Sequence, residues 1–481
     1  MRKLVFAAAL AAVGNVALAA TDVMMFFDTE DYTNPWSDDS VLEIANLLKE
    51  EGVVGNFDVV GFWAQKIIEN RRFDVLDSLK GHTIGTQSLY HSLHPTECEW
   101  AGREDAREAY RLVHEHEAMC VGMLRAAFGL DKILYMTEPG NSGTYIANTV
   151  GYDLGMKVGY GMLPSATYGM WYDNLFQLPY DWSLESMFPP NPEPDYRKLL
   201  DDWAKRPFMC LAMHPDKVRS TTHWDIVNYR EKNLAAWRQW KAAPRRSETD
   251  VQEFYRRLRN LCRALKSDSR FNVTDVHACI AKLKPRRALT PSDLPAIEAA
   301  LRKELWPVSA PGSYCVADVF QAAARFLLGE KSFLPAKAYG FLSQPVGVTA
   351  ATTVRADDLR AAAAKLDFSW YLPASIDVGG QAIGPADFLF AALEVLRTGA
   401  ATVTVSPREQ LGSFDRLPRW KDFEYVRGWI IHSRDLADKI LSDRLRWQLW
   451  TLRYEEGFAS APHCAGLNFP LAFHVCCVVQ F

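Results

Sequence analysis

Three acids fall within four residues at Asp28, Glu30 and Asp31, directly behind the apolar run Val23 to Phe27. The run reads as a buried strand, and carboxylates crowded at its exit need partners there. In α/β sheets the carboxyl ends of the strands form the ligand crevice, so such acids point to a bound metal or a proton being moved. Helix capping is the alternative, since acids favour helix N-termini, but Pro35 and Trp36 still separate these three from the next helix. A second group follows as Gln87-x-x-x-His91-x-x-His94, a spacing that brings side chains together on a helical turn or tight loop. His214 ends a later apolar run, Phe208 to Met213. Carboxylate with imidazole is a ligand set for zinc or a similar divalent ion, with positions left for water and substrate. A bound ion lowers the pKa of its water from about 16 to about 7. Asp28 can take that water's proton and His214 can protonate a leaving group, which together amount to hydrolysis of an amide or ester.

The elements that must position these groups alternate. Strand patterns at Val23, Val53, Gly81, Ile133, Val158, Phe176, Phe208 and Phe271, the one at Gly81 rich in hydrogen-bonding side chains, are separated by helical patterns, including the long one over 104–128, and this predicts a mainly parallel sheet wrapped by helices across 22–284. Pro285-Arg286-Arg287 and Thr290-Pro291-Ser292 mark a linker over 285–293. From 294 to 456 the texture changes to Ala- and Leu-rich helices. Val316-Ala317-Asp318-Val319-Phe320 is echoed by Pro385-Ala386-Asp387-Phe388-Leu389, and Leu334-Pro335 by Leu372-Pro373, as in a weak internal repeat. The end, 457–481, is an apolar tail without periodicity.

With 481 residues, two or three domains are expected, and a net charge of −4 offers no basic excess for nucleic acid. Arg2-Lys3, an apolar run from Leu4 and Ala17-Leu18-Ala19 read as a secretory signal peptide over 1–20, which predicts a secreted or periplasmic protein with no transmembrane helix in the mature chain. The nine cysteines show no C-x-x-C spacing and read mostly as small buried groups.

Four stretches carry a resemblance. Phe27-Asp28-Thr29-Glu30-Asp31, Gly81 to His91, Glu138-Pro139-Gly140-Asn141-Ser142 and Leu211-Ala212-Met213-His214 resemble, in order, the motifs of the polysaccharide deacetylases, carbohydrate esterase family 4. The resemblance spans about 22–284. It implies a distorted (β/α) barrel of about seven strands and metal-dependent removal of acetyl groups from a polysaccharide, with zinc, or cobalt, nickel or manganese, as cofactor. Carried over, Asp28 matches the base, Asp31 or Glu30 the metal acid, His91 a metal histidine and His214 the general acid. Pro139, Gly140 and Asn141 fall where substrate is met. Two positions depart. Gln87 stands where the family places its first metal histidine, with His94 as a substitute ligand, and Glu138 stands where an arginine would orient the base. The C-terminal part resembles pseudomurein-binding repeats, which implies attachment to a cell wall.

Trp171, Tyr172, Tyr180 and Trp182 are candidates for a sugar-stacking wall, with local packing as the alternative. His82 reads as a neighbour of the site, and His114, His116, His223, His277 and His432 as structural or solvated.

Overall fold

The computed structural model describes residues 20–141, 143–161, 167, 169–228, 237–412 and 441–456. The signal peptide, but for Ala20, and the apolar tail lie outside the described residues.

Strand β1 (Thr21–Thr29) is the axis of the first part. Val23 to Phe27 are at most 1% exposed, because β1 is covered on both faces and paired on both edges, parallel to β2 (Asn56–Val59) and to β9 (Phe208–Met213). That is why these strands read as unbroken apolar runs. The sheet continues through β3 (Thr83–Thr86), β4 (Tyr135–Thr137), β5 (Val158–Tyr160), β6 (Met170–Tyr172) and β7 (Leu175–Leu178), with β8 (Trp182–Ser183) beyond β9 and β10 (Phe271–Thr274) beside the start of β1. The order is β15-β6-β7-β5-β4-β3-β2-β1-β9-β8, where β15 (Arg453–Tyr454) runs antiparallel to β6. The mixed α/β architecture is a curled half-barrel of eleven strands. This exceeds the seven or so that the resemblance implies, because the count includes the short strands β6, β8 and β15.

Close approach inside the sheet fixes one glycine. A Cβ on Gly85 would lie 2.3 Å from Cζ of Tyr135, so only glycine lets that ring lie across β3. On the outer side, His82 accepts from the Gly55 N–H through Nδ1 (3.1 Å) and donates to the Ala45 carbonyl through Nε2 (3.0 Å). Burial pushes its pKa down from 6.5 to about 4. A base whose folded pKa is depressed stabilises the fold above its unfolded value and loses that contribution as pH falls. The melting temperature is therefore expected to fall between pH 6.5 and 4, with a shallower slope in His82→Gln, as measured by thermal melts of both proteins.

The part beyond 284 has its own core, built from Leu289, Ile297, Val316, Phe320, Phe341, Leu359, Phe388, Leu393 and Trp450 among others. Helices Val316–Leu327 and Pro385–Thr398 bear the sequence echo and open alike. In each, an Asp in the first turn reaches back to the backbone N–H before the helix: Asp318 to Cys315 (2.9 Å) and Asp387 to Gly384 (3.0 Å). The two helices pack through Phe320 and Phe388, ring centroids 5.5 Å apart. The part is mainly helical but carries two small antiparallel pairs, β11 (Thr352–Arg355) with β14 (Thr402–Val405) and the hairpin β12 (Ile376–Val378) with β13 (Gln381–Ile383). The segment read as a linker is itself pinned: Leu289 is buried and bridges Phe333, and Arg286 pairs with Asp318.

This part lies against the barrel. Asn174, between β6 and β7, exchanges hydrogen bonds with the Ala338 backbone in both directions (2.8 and 2.7 Å). Tyr145, Ile146, Val150, Met170 and Tyr172 share one apolar cluster with Tyr339, Tyr371, Leu441, Leu445, Leu449 and Leu452. Cys98, Cys120, Cys210, Cys262, Cys279 and Cys315 are buried free thiols. No helix among the described residues is long and apolar enough to cross a membrane.

Candidate active site

Side chains at i and i+2 of a strand share a face, so Asp28 and Glu30 leave β1 on the same side and Asp31 on the other. The structure follows that parity. Glu30 faces two histidines, with Oε2 2.9 Å from Nε2 of His91 and Oε1 2.8 Å from Nε2 of His223, and Oε1 also accepts from the Trp224 indole (3.0 Å). His214, at the end of β9, stacks edge-on against His223 with centroids 4.6 Å apart. One donor atom from each of Glu30, His214 and His223 lies within 4.8 Å of the other two.

Asp31 does not join this group. Its carboxylate accepts from the Thr33 and Asn34 backbone N–H groups (2.8 and 3.0 Å), from Asn34 Nδ2 (2.8 Å) and from the Ser37 hydroxyl. These contacts brace the turn that leads into helix Pro35–Glu50, whose N-cap is Asn34. Burial and the nearby Asp216 push its pKa up to about 7. Asp31→Ala is expected to cost about 2 kcal/mol of stability, by loss of several buried hydrogen bonds, and to leave bound metal per chain unchanged. Denaturant melts and elemental analysis check both halves of that expectation.

The surroundings fix the tautomers of two rings. Ser92 donates to Asp225 (3.0 Å), so its oxygen accepts from His91 Nδ1–H (2.6 Å) and leaves Nε2 of His91 turned to Glu30. His223 directs Nδ1 to Asp216 (3.2 Å), which also leaves Nε2 turned to Glu30. Each of the two imidazole nitrogens lies under 3 Å from a different oxygen of Glu30, and such pairs require a proton on the nitrogen or a metal ion shared with the carboxylate. With protons there, burial works to raise Glu30, but His91 and His223 hold it well below the usual carboxylate range. His223 is held well above the usual imidazole value, against burial, by Asp216 and Asp225. The donor set of one carboxylate and neutral imidazoles, each backed by a hydroxyl or carboxylate, fits a divalent ion of the zinc type. The Glu30, His91 and His223 side chains are at most 2% exposed, which protects such a charge from water. His91 reaches its place through left-handed backbone, φ 53°, held by the Ser88 hydroxyl, which accepts its N–H (3.0 Å). Strain of that kind concentrates at working sites.

Asp28 lies beside this group. Its Oδ2 accepts from the Tyr180 hydroxyl and stands 3.3 Å from Nε2 of His214. Burial pushes the Asp28 carboxyl up, and Glu30 adds to the effect, against the pull of His214. Its register partner on β2, Asp58, is fully buried and is pushed well above the usual range by burial and by Asp28. His214 places Nδ1 2.7 Å from Glu185 Oε1, and Lys217 holds the other oxygen of Glu185 (2.7 Å). Burial disfavours the His214 cation, yet Asp28 and Glu185 raise its pKa to about 9.

Other candidates lie elsewhere. Gln87 is buried at the end of β3, and its side-chain oxygen has no hydrogen-bond partner among the described residues. His94 is turned outward and bound to Glu99 (2.8 Å). Pro139, Gly140 and Asn141 form a single tight turn after β4, with Gly140 at φ 55°; the side chain of Asn141 is outside the described residues. The aromatic wall is packing. Trp182 meets Trp203 edge-on (5.4 Å), Trp171 donates to Glu455, and the Tyr172 hydroxyl donates to the Leu445 carbonyl. Glu138 is set among buried carboxyls, its charge helping to raise Glu97 beside Glu117. The sequence marks neither His223, Asp216, Asp225 nor Glu185 as a site residue, and Tyr180 only as a ring of the aromatic wall. Asp216 and the triplet His223-Trp224-Asp225, just past His214, were the available signal.

No protein-family model matches the chain, and no curated protein matches it. Solved structures similar to it include the 4-alpha-glucanotransferase of Thermococcus litoralis (13% identity over 56% of this chain and 41% of that one, TM-score 0.39). They also include a family 4 carbohydrate esterase of Streptomyces lividans in complex with acetate (12%, 53% and 92%, TM-score 0.29). A third is a CE4 family pseudoenzyme of Bacillus anthracis (16%, 41% and 56%, TM-score 0.26). The match thus spans less than two thirds of the glucanotransferase and of the pseudoenzyme. Members of the family that the sequence motifs resemble are among the structural neighbours.

Proposed function

We propose that this chain is a divalent-metal-dependent hydrolase that removes acetyl groups from an N- or O-acetylated polysaccharide. The observation that carries the reading is Glu30 clamped between His91 and His223, with Asp28 and His214 paired beside them. Glu30 and His223 would hold the ion, zinc by preference, with His91 on the second oxygen of Glu30. When bound, it supplies a polarising charge for the acyl oxygen and a water of lowered pKa. Asp28 takes the proton of the attacking water, its carboxylate oriented by Tyr180. His214, kept protonated by Asp28 and Glu185 and 16% exposed at its side chain, gives a proton to the leaving amine or alcohol. Export to the periplasm or the medium rests on Met1–Ala20, and attachment to a cell wall on the repeat-bearing C-terminal part; both belong to the same proposal.

The test is metal content of the purified full chain and acetate release from chitooligosaccharides, peptidoglycan fragments and acetylated xylan. Stoichiometric zinc with acetate release is expected. Metal-free protein that releases no acetate after loading with zinc, cobalt, nickel or manganese would overturn the proposal.

A second reading, a catalytically silent barrel that binds cell-wall glycan, is favoured by one observation. Where the resemblance places an arginine beside the base there is Glu138, which belongs to the Glu97 and Glu117 group. Glycan binding without metal would select this reading.

A further inference from the structure

The loop that delivers His91 has a second side. Tyr90, Leu93, His94, Pro95, Trp100 and His116 line a cavity of about 320 Å³. A larger hollow of about 500 Å³, at Glu248, Thr249, Gln252, Glu253 and Arg256, lies along one helix, and its arginine is already paired with Glu193 and Glu253. The smaller cavity is the one built from rings.

We propose that this cavity binds one pyranosyl ring of a neutral glycan. That this glycan is also the substrate rests on the hydrolase reading, whereas the chemistry of the cavity stands without it. A pyranose buries an apolar face against a ring and turns its hydroxyls to hydrogen-bonding groups. The lining supplies both. His116 donates through Nδ1 to the Leu112 carbonyl (2.7 Å), which leaves Nε2 as an acceptor. Its ring lies flat on Trp100, centroids 3.6 Å apart and 24° between planes, so it is placed before any ligand arrives. Tyr90 meets the same imidazole edge-on at 6.4 Å. The carboxylate nearest the rim, Glu99, is taken by His94 and by the Thr96 N–H (2.6 Å), so the site favours an uncharged ligand. Its volume sits at the low end of the roughly 300–1,000 Å³ of small-molecule sites, which suits a single ring. The cavity and His91 share one loop. Tyr90 precedes His91, and its carbonyl accepts from the Tyr32 hydroxyl (3.0 Å), next to Asp31.

Full-length protein stripped of metal by a chelator, and so unable to turn over, is titrated calorimetrically with chitotriose and with xylotriose. Saturable binding is expected, with His94 and His116 protected by the bound sugar from imidazole acylation in the unmutated protein. Leu93→Trp, which fills the cavity, and His116→Ala are each expected to weaken binding about tenfold. No saturable binding, no protection, or unchanged affinity in both variants overturns the proposal. The two readings fail separately. Binding that persists in a protein without metal or acetate release leaves the cavity standing and removes the hydrolase. Acetate release with KM unchanged in both variants does the reverse.

Discussion

Glu30→Ala is expected to lose its bound divalent ion and to lower kcat/KM for acetate release by about a thousandfold or more. His91 and His223 face the two oxygens of Glu30, so its removal deletes a ligand and takes that partner from both imidazoles. Breaking a buried charge group by taking away one partner costs about 3–5 kcal/mol, so the variant is measured well below its melting temperature. Glu30→Gln separates the two effects. It keeps the shape and the contact with the Trp224 indole but offers a neutral oxygen, so it is expected to fold better than the alanine variant and still to hold metal poorly. Elemental analysis after gel filtration, alongside acetate assays, gives the answer. Full zinc occupancy in the alanine variant would remove Glu30 from the site.

A chain ending at residue 284 is expected to be insoluble or to lack cooperative unfolding. The barrel buries Tyr145, Ile146, Val150, Met170 and Tyr172 against residues of the C-terminal part. Exposing a large apolar side chain costs about 1.5–3 kcal/mol, so five of them approach the roughly 5–15 kcal/mol that holds a domain together. Asn174 would also lose its two bonds to the Ala338 backbone. Expression of 20–284 beside 20–456, compared by solubility and calorimetry, checks this. A soluble fragment with a sharp transition would contradict it.

The sequence reached part of the site because strands advertise their ends. Asp28, Glu30 and His214 follow apolar runs and His91 a strand rich in hydrogen-bonding side chains, and the alternation of strands with helical patterns implies a mainly parallel sheet, its curl coming only from the resemblance. The choice between Glu30 and Asp31 was also there, in the parity of side chains along β1. The spacing of Pro35 and Trp36 suggested that Asp31 was too far from the helix to cap it, whereas its carboxylate braces the intervening turn. His223 was hidden for a different reason. It lies in the loop between helices Asp216–Arg219 and Trp224–Asn228, where no period fixes direction, and only the folded chain brings it to Glu30. Tyr180 and Trp182 look alike as a pair of rings near strands, yet one holds a carboxylate and the other fills a core edge. Contacts that join distant segments decide such roles, and composition does not record them.

The last described strand, β15, lies on the sheet edge formed by β6, and Glu455 reaches Trp171 across 284 residues of sequence. A ribosome releasing this chain from its N-terminus therefore exposes β6 long before its neighbour exists. Unpaired edges of that kind invite pairing with other molecules, a hazard that lasts until β15 has been made.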